Sequence, residues 1–248
     1  MTQATLPLLH LRPADIASRV LVVGDPARAG KAALLLDEFE KVGENREYVT
    51  YTGHYEGRRV SIVSHGIGSA GAGLAFEELA RGGARVMIRA GTCGAVNPAL
   101  ADGDAVIATG AVRDEGLTPR LLPSTYPALA DHRVILALES AAAAQGVATR
   151  SGVVLTSDLF YPSAALGQDW SVWQASHVQV VEMEAAALFI VATLHGIVAG
   201  GIFAVDGNPT LAAQDMSEYD PHRSEVQAGV ETILRIALKA LVHTEVEP

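Results

Sequence analysis

Short apolar segments alternate with segments of helical periodicity along most of the chain, and this alternation restricts the fold more than any other feature. Several of the apolar segments are hydrophobic at successive positions, which is typical of strands that are covered on both faces. Alternating strands and helices predict one α/β domain over residues 1–248, with a mostly parallel or mixed twisted sheet flanked by helices. The predicted strands are Arg19–Val23, Arg59–Ser64, Val86–Ala90, Asp104–Thr109, Thr149–Leu155 and Ile197–Val205.

Capping residues and glycines mark the helix boundaries. Asp25 and Pro26 are a typical N-cap and first helical residue, and Gly146 and Gly196 are typical stop signals. Tyr161–Gln179 has no clear period, and we interpret this segment as a mobile flap. The predicted helices run from Pro26 to about Leu36, from Ser69 to about Arg81, from Asp131 to Gln145, over residues 183–195, and from Pro221 towards the end of the chain.

The composition excludes several classes of function. The chain has 28 acidic and 18 basic residues, and the net charge of −10 argues against a nucleic acid or an anionic membrane as a partner. Cys93 is the only cysteine, so no intrachain disulfide is expected, and no spacing of His and Cys indicates a metal. The apolar stretch 185–205 is interrupted by Gly196, Gly200 and Gly201 and lacks flanking Lys or Arg, which argues against a membrane span. We therefore expect a cytoplasmic protein.

Two arginine-containing motifs follow predicted strands, and in α/β sheets ligands bind beyond the carboxyl ends of the strands. Gly24–Arg28 follows a strand at a helix start, where backbone amides and the helix dipole favour an anion. Arg89 ends an apolar strand, where a guanidinium is costly unless it is paired or functional, and Thr92 follows in a glycine-bracketed loop. The alternatives are an ordinary capped helix with a solvated arginine, and a structural pair of arginine and carboxylate.

Gly66–Gly71 matches the pattern G-x-G-x-x-G between a predicted strand and a predicted helix. In a dinucleotide-binding fold an acidic residue about twenty positions further on binds the ribose, but here the corresponding strand ends in Arg89. Because an arginine at that place suits a 2′-phosphate, an NADP-dependent oxidoreductase is one alternative. A tight turn with close packing of helix on strand is the simpler interpretation.

Three carboxylates are candidates for sugar binding and proton transfer. Glu182 and Glu184 open an apolar helix, where the helix dipole favours acidic residues. A buried Glu184 is able to accept two hydrogen bonds from the vicinal hydroxyls of a sugar. Asp206 ends a very apolar strand, a setting that raises the pKa of a carboxyl and suits a general acid, and an Asx turn into Gly207 is the alternative.

Six ordered stretches make the chain resemble the nucleoside phosphorylase-I family, which comprises hexameric and trimeric purine nucleoside and uridine phosphorylases of the bacterial type. The resemblance covers the chain from His10 to the final helix. It implies the α/β fold of that family and the phosphorolysis of an N-glycosidic bond, with inorganic phosphate as co-substrate and with no metal or other cofactor. The stretches are VLVVGDPAR (20–28), NREYVTYTGHYEGR (45–58), SHGIGSAG (64–71), IRAGTCGAV (88–96), SDLFYP (157–162) and VVEMEAA (180–186).

The resemblance also implies roles for individual residues. Arg46 and His10 would reach the phosphate and the ribose 5′-hydroxyl from a neighbouring subunit, so a homo-oligomer is implied, usually a trimer of dimers. The implied catalytic residues are Arg28, Arg89 and Asp206. The implied phosphate site consists of Gly24, Arg28, Arg46, Arg89 and Thr92, and the implied nucleoside site of His10, Phe160, Glu182, Met183, Glu184 and Asp206.

The sequence favours a 6-oxopurine nucleoside as the substrate. Uridine phosphorylases place a Gln and an Arg shortly after the Phe-Tyr pair, and residues 162–166, which follow Phe160 and Tyr161, contain neither. Purine members protonate N7 of the base with an aspartate at the position of Asp206, although here no arginine follows Asp206 before Arg223. A uridine phosphorylase is the runner-up, and a non-catalytic nucleoside-binding homologue is the third hypothesis.

Overall fold

The computed structural model describes residues 5–211 and 219–246. Within these residues ten strands form one mixed sheet, in which five strand pairings are parallel and five are antiparallel. The strands are β1 (Arg19–Val23), β2 (Glu38–Asn45), β3 (Tyr48–Tyr55), β4 (Arg58–Ser64), β5 (Val86–Ala95), β6 (Ala105–Asp114), β7 (Ala128–Leu129), β8 (Thr149–Ser157), β9 (Val180–Glu182) and β10 (Val198–Gly207). The helices are α1 (Pro26–Ala33), α2 (Ser69–Arg81), α3 (Thr118–Leu121), α4 (His132–Ala144), α5 (Ser171–Ala175), α6 (Ala185–His195) and α7 (Ser224–His243), and a 3₁₀ turn covers Pro13–Asp15.

The centre of the sheet is formed by β1, β5 and β10, which run parallel to one another. Parallel strands are covered by helices on both faces, and this is why these segments are hydrophobic at successive positions. All ten residues of β10 are buried, as are the first six residues of β5. The predicted α/β fold with a mixed sheet and flanking helices is confirmed, and each of the six predicted strands is present.

Helices cover both faces of this sheet and divide the core into two layers. On one face α2 packs against α6, and on the other α4 packs against α7, with α1 lying over β3 and β4. In α6 every residue from Ala185 to Ala192 is buried, because the helix lies between the sheet and its neighbouring helices. The apolar residues of α7 recur at helical spacing, from Val226 to Leu241, and are buried against the sheet and α4.

The predicted helix boundaries hold to within a few residues. Asp25 caps α1 by accepting a hydrogen bond from the amide of Ala27 at 2.8 Å, and Asp131 caps α4 in the same way. Gly196 takes the left-handed conformation that ends α6. Because α6 stops there after eleven residues, the apolar stretch is divided between a helix and a strand. No helix of the described part of the chain is long and apolar enough to cross a membrane.

One strand changes its neighbour along its length, at the place where the candidate site residues lie. On one side, β5 pairs with β1 over residues 86–89 and with β9 at residues 94–95, while β10 follows its other side. The pairing continues from β9 to β8, from β8 to β6 and from β6 to β10. Because β10 also pairs with β5, these five strands close into a ring. A change of strand partner of this kind is where α/β sheets bind ligands.

Four strands of the sheet, β2, β3, β7 and β9, were not predicted from the sequence. β2 and β3 form a hairpin that extends the sheet beyond β4, but β2 is largely exposed and polar and carries no apolar period. β9 has three residues, too few for a pattern. The helix α5 lies within the predicted flap Tyr161–Gln179, and the mobility of that segment stays a prediction.

Candidate active site

Arg89 lies where β5 changes its partner, and it is 4% exposed. Its Nε donates to Glu182 at 3.2 Å and its Nη2 donates to Glu184 at 2.5 Å. Gly91 leaves room for the guanidinium, since a Cβ at that position would lie 2.9 Å from Arg89 Cζ, and the ring of Phe203 lies 5.3 Å away on the strand beside it. Burial disfavours the charge, but the two carboxylates outweigh burial and raise the pKa of Arg89. Arg89 is therefore paired with carboxylates, as the alternative interpretation of this residue predicted.

His65 follows β4 and is completely buried beside Arg89. Its Nδ1 lies 2.9 Å from the carbonyl of Gly66, which can only accept, so Nδ1 carries the proton and Nε2 accepts from Arg89 Nη1 at 3.1 Å. Burial, and next the repulsion from Arg89, lower the pKa of His65 well below its ordinary value and keep the ring neutral. Sequence reasoning missed this residue, although its place directly after a buried strand was a usable signal.

The glycine motif Gly66–Gly71 forms a loop and a helix start that hold Glu184. Gly66 and Gly68 have φ angles of +75° and +92°, which favour glycine. The amide of Gly68 donates to Glu184 Oε1 at 2.5 Å, while Oε2 accepts from Arg89. Burial raises the pKa of Glu184, and the charge of Arg89 opposes that rise. The tight-turn interpretation therefore accounts for the glycines of this motif.

Glu182 ends β9, and its side chain is completely buried. Its carboxylate accepts from the amides of Glu184 and Ala185, each at 2.9 Å, from the hydroxyl of Thr156 at 2.6 Å, and from Arg89. These amides belong to the start of α6, where backbone N–H groups lack partners within the helix. Glu182 therefore supports the helix start and Arg89, and it has no exposed surface with which to make its predicted contact with a nucleoside.

Asp206 lies near the end of β10 and is 6% exposed. Its carboxylate accepts a hydrogen bond from the hydroxyl of Tyr219 at 2.8 Å, and the side chain of Thr92 lies near enough to favour its charged form. Burial raises the pKa of Asp206, and the two hydroxyls and Arg28 oppose that rise. The predicted raised pKa of this group is therefore present, and Tyr219 is a neighbour that the sequence did not indicate.

Arg28 lies in the first turn of α1 and is half-buried. Burial, and next the repulsion from Arg89, lower the pKa of Arg28, whereas Asp25, Asp206 and Tyr219 raise it. Arg28 therefore lies near enough to the two other predicted catalytic residues, Arg89 and Asp206, for their charges to act on it. Among the residues that the structure describes, no carboxylate forms an ion pair with Arg28. A guanidinium without an ion pair beside a second guanidinium is suited to hold an anion.

Gly24 and Thr92 border the space between these charged groups. Gly24 joins β1 to α1, and its carbonyl accepts from the amide of Gly66 at 2.9 Å. Thr92 lies on β5, half-buried, and its side chain is near enough to Asp206 to favour the charged form of that carboxyl. The predicted phosphate residues Arg28 and Thr92 are therefore close to the predicted general acid.

Phe160 and Met183 lie at the more open side of the site. Phe160 is 45% exposed, and its ring makes edge contacts with the rings of Tyr161 and Tyr219 at 5.0 and 5.9 Å. Met183 is half-buried beside Glu184, and its carbonyl accepts from the hydroxyl of Ser69 at 2.7 Å, which joins the segment before α6 to the start of α2. An aromatic ring and a thioether are suitable surfaces for a base and a sugar.

His10 and Arg46 lie on the surface, and both have left-handed backbone angles, with φ of 53° and 55°. A hydrogen bond of 2.7 Å from Asn45 to the carbonyl of Leu8 joins their two segments. Within the ranges 5–211 and 219–246, neither side chain has a hydrogen bond or an ion pair with another residue. The structure therefore brings His10 and Arg46 close to one another on the surface of the chain, with both side chains exposed.

The site can bind an anion, accept hydrogen bonds from a diol and transfer a proton. Arg28 and Arg89 supply positive charge, Glu184 supplies acceptors, and Asp206 supplies a carboxyl with a raised pKa. In the described part of the chain, no three His, Cys, Asp or Glu residues are grouped as metal ligands.

Comparison with known proteins assigns this fold and site to a class. The model of the Phosphorylase superfamily matches residues 18–242, and the chain belongs to this superfamily, so the resemblance drawn from the six motifs is confirmed. The chain is 38% identical over 238 residues to the purine nucleoside phosphorylase of Plasmodium vivax, covering 93% of this chain and 96% of the relative. It is also 38% identical over 242 residues to the uridine phosphorylase of Treponema pallidum, covering 94% and 92%. The purine nucleoside phosphorylase of Toxoplasma gondii, solved in complex with immucillin-H, superposes with a TM-score of 0.91 at 35% identity, covering 97% of this chain and 96% of that one.

Proposed function

We propose that this protein is a nucleoside phosphorylase that cleaves 6-oxopurine ribonucleosides such as inosine and guanosine. Phosphate attacks C1′ of the ribose, the bond from C1′ to N9 breaks with its electron pair going to the base, and ribose 1-phosphate and the free base are released. The observation that carries this proposal is Arg28, a half-buried guanidinium beside Arg89 without an ion pair among the described residues. A reaction that uses water as the nucleophile needs no such anion site.

The phosphate site overcomes the charge of the whole protein. A net charge of −10 repels a phosphate dianion, so the local positive charge must outweigh that field. Arg28 and Arg89 supply this charge, and Gly24 and Thr92 border the space between them. Because guanidinium groups bind phosphate oxygens in a fixed geometry, they also orient the nucleophile towards C1′.

The ribose binds to Glu184 in this proposal. Each oxygen of Glu184 accepts one hydrogen bond from the protein, and a carboxylate oxygen can accept two, so one position on each oxygen serves the 2′- and 3′-hydroxyls. The reaction passes through a state in which the ribose carries positive charge, and a fixed carboxylate beside the ring stabilises that charge. Met183 packs under the sugar.

Asp206 acts as the general acid that protonates N7 of the leaving purine, so that the base departs neutral. Burial raises the pKa of Asp206, which favours the protonated form that this role requires. The activity therefore falls as the pH rises through the pKa of Asp206, because the carboxyl then loses the proton that it must donate. Phe160 lies against the base.

A uridine phosphorylase is the second candidate, and the 38% identity to the uridine phosphorylase of Treponema pallidum favours it. A pyrimidine has no N7, so Asp206 would then lack its proposed task. The absence of a Gln and an Arg from residues 162–166 supports the purine assignment.

His10 and Arg46 complete the site of a neighbouring subunit in this proposal, and the assembly is a trimer of dimers. The exposure of both side chains, close to one another on the surface, supports this arrangement. It is tested by mixing Arg28→Ala subunits with Arg46→Ala subunits at a phosphate concentration far below the KM of either variant, where each variant alone has almost no activity. A shared site regenerates about a quarter of the wild-type activity, because half of random dimers are mixed and one of their two sites is intact. Sites confined to one subunit regenerate none.

The function is tested with inosine, guanosine, adenosine and uridine, each with and without phosphate, while the free base and ribose 1-phosphate are quantified. We expect rapid, phosphate-dependent release of hypoxanthine and guanine and little turnover of uridine. Equal rates with and without phosphate would replace the phosphorylase by a hydrolase. Inactivity towards all four nucleosides together with binding of NADP(H) would favour the oxidoreductase alternative.

A further inference from the structure

Tyr219 joins two parts of the site that the sequence motifs treat separately. Its hydroxyl donates to Asp206 Oδ2 at 2.8 Å, and its ring makes an edge contact with Phe160 at 5.9 Å. The side chain is 36% exposed, so the ring lies at the boundary between the buried acid and the open side of the site. None of the six motifs contains this residue.

The position of Tyr219 is fixed from the side of α7. Arg223, at the start of that helix, donates to the carbonyl of Asp220 at 3.0 Å and to the backbone carbonyl of Asp206 at 3.2 Å. The same guanidinium forms an ion pair with Asp102 at 2.6 Å. Arg223 therefore ties the segment that carries Tyr219 to the end of β10, and it contacts the backbone of Asp206 rather than its carboxylate.

We propose that Tyr219 is a positioning residue for Asp206, which it holds through its hydroxyl while its ring lies against Phe160. This inference rests on the proposed function, because it concerns the acid of that reaction. A carboxyl group rotates about a single bond, and a donor held at a fixed place limits that rotation. Tyr219 donates to Oδ2 from the segment before α7, and the side chain of Thr92 on β5 favours the charged form of the same group.

The hydroxyl of Tyr219 also controls when Asp206 loses its proton. Three groups favour the charged form of the Asp206 carboxyl, and these are Tyr219, Thr92 and Arg28. Asp102 disfavours that form, and the charge of Asp206 raises the pKa of the buried Cys93 in addition to the effect of burial. Removing the hydroxyl removes a donor that stabilises the carboxylate, so the carboxyl keeps its proton to higher pH.

The test is Tyr219→Phe, which keeps the ring and removes only the hydroxyl. The matched control is Tyr161→Phe, because Tyr161 also contacts the ring of Phe160 but its hydroxyl has no hydrogen bond among the described residues. With inosine, we expect the maximal kcat/KM of Tyr219→Phe to fall about tenfold, the effect of one hydrogen bond to a charged group, while its alkaline limb moves to higher pH. The control keeps the wild-type profile.

A substrate that needs no acid provides the second comparison. The base of 7-methylguanosine already carries a substituent and a positive charge at N7, so it leaves without a proton from Asp206. We expect Tyr219→Phe to cleave this nucleoside at close to the wild-type rate. An equal loss with both nucleosides, or an equal loss in Tyr161→Phe, would contradict the proposal, because the hydroxyl would then act on something other than proton transfer.

Two further measurements keep the inference separable from the function and from misfolding. Carbon-13 NMR of the carboxyl groups, assigned with Asp206→Asn, follows the titration of Asp206 without turnover. A higher pKa of Asp206 in Tyr219→Phe supports the inference even if every nucleoside proves inert, and an unchanged titration overturns it even if the protein is an active phosphorylase.

Arg223→Gln leaves the hydroxyl of Tyr219 in place but releases the segment that carries it. The variant with both Arg223→Gln and Tyr219→Phe should therefore have a kcat/KM no lower than that of Tyr219→Phe alone. Additive losses would mean that Arg223 does not act through Tyr219.

Discussion

Arg89 and Arg28 are two arginines of one site whose surroundings differ completely. Arg89 is 4% exposed and donates to two carboxylates and to a neutral histidine. Arg28 is half-buried, and no described carboxylate forms an ion pair with it. Arg89 therefore belongs to the folded framework as much as to the proposed reaction, whereas the charge of Arg28 is available to a ligand.

The difference follows from where the two residues lie in the fold. Arg89 belongs to a central strand, where a charge cannot be buried without partners, and Glu182 and Glu184 from the start of α6 supply them. Arg28 belongs to the first turn of a helix and is half-buried, so solvent or an anion can satisfy it. Substitutions at the two positions should thus separate stability from phosphate binding.

The largest effect is expected from Arg89→Met. The substitution leaves two buried carboxylates without their cation, which destabilises a protein by about 3–5 kcal/mol. The control is Arg81→Met, since Arg81 forms an exposed i,i+4 pair with Glu77 that contributes less than about 1 kcal/mol. Urea unfolding of both variants measures the free energies. Equal losses would show that the buried network stabilises no more than a surface pair.

Arg28→Met should have the opposite signature. No ion pair is lost, so the free energy of unfolding should change by less than about 1 kcal/mol. The KM for phosphate should rise about 100-fold, since a charged hydrogen bond to the nucleophile is lost. Phosphate saturation curves and urea unfolding of the same sample provide both numbers. A large loss of stability with an unchanged KM for phosphate would reverse our assignment of the two arginines.

His65→Phe tests whether the framework around Arg89 extends to the neutral histidine. The variant keeps an aromatic ring against Phe76 but leaves the Gly66 carbonyl and Arg89 Nη1 without their partner. We expect a loss of about 1–3 kcal/mol in the free energy of unfolding, the cost of buried polar groups left unpaired. His54→Phe, at a half-exposed position of β3, is the control and should change little. Similar values for the two variants would remove His65 from the framework.

The smallest effect concerns the pH dependence of stability. Because burial raises the pKa of Asp206, the folded protein binds this proton more tightly than the unfolded chain does. Asp206 therefore makes the folded state less stable as the pH rises from the ordinary range of aspartate through the raised value. Asp206→Asn should remove this contribution to the slope. Between pH 4 and pH 8, the change in the free energy of unfolding should therefore differ between the wild type and Asp206→Asn by at most about 1 kcal/mol, measured by urea unfolding. A slope identical to that of the wild type would mean that Asp206 does not titrate abnormally.

The sequence was sufficient for the strands and for the residues that follow them. Arg28, Glu184 and Asp206 all lie at the ends of buried strands or the starts of helices, where parallel strands place ligand-binding groups, so the pattern predicts that they come together. Arg89 was predicted in the same way, but the partners that bury it are more than ninety residues further along the chain. Contacts of that separation leave no periodic signal.

Residues whose role depends on contacts made by the fold were the ones that sequence reasoning missed or misplaced. A single histidine such as His65 is usually a core or surface residue, and only the fold shows that it contacts Arg89. Tyr219 follows Asp206 by thirteen residues. It donates to the Asp206 carboxylate, and Arg223 ties the segment that carries Tyr219 to the backbone of Asp206. The resemblance implied a place for Glu182 in the nucleoside site, but alternation along β9 points its side chain into the interior.

The central claim is that Arg28 and Arg89 hold a phosphate that attacks C1′ of a nucleoside. It is tested most directly with inosine and phosphate labelled with oxygen-18 at all four oxygens. We predict that the ribose 1-phosphate retains all four labels, including the oxygen that bridges carbon and phosphorus, and that it forms in equal amount to hypoxanthine. Release of hypoxanthine together with unlabelled free ribose, at a rate independent of phosphate, would contradict the claim.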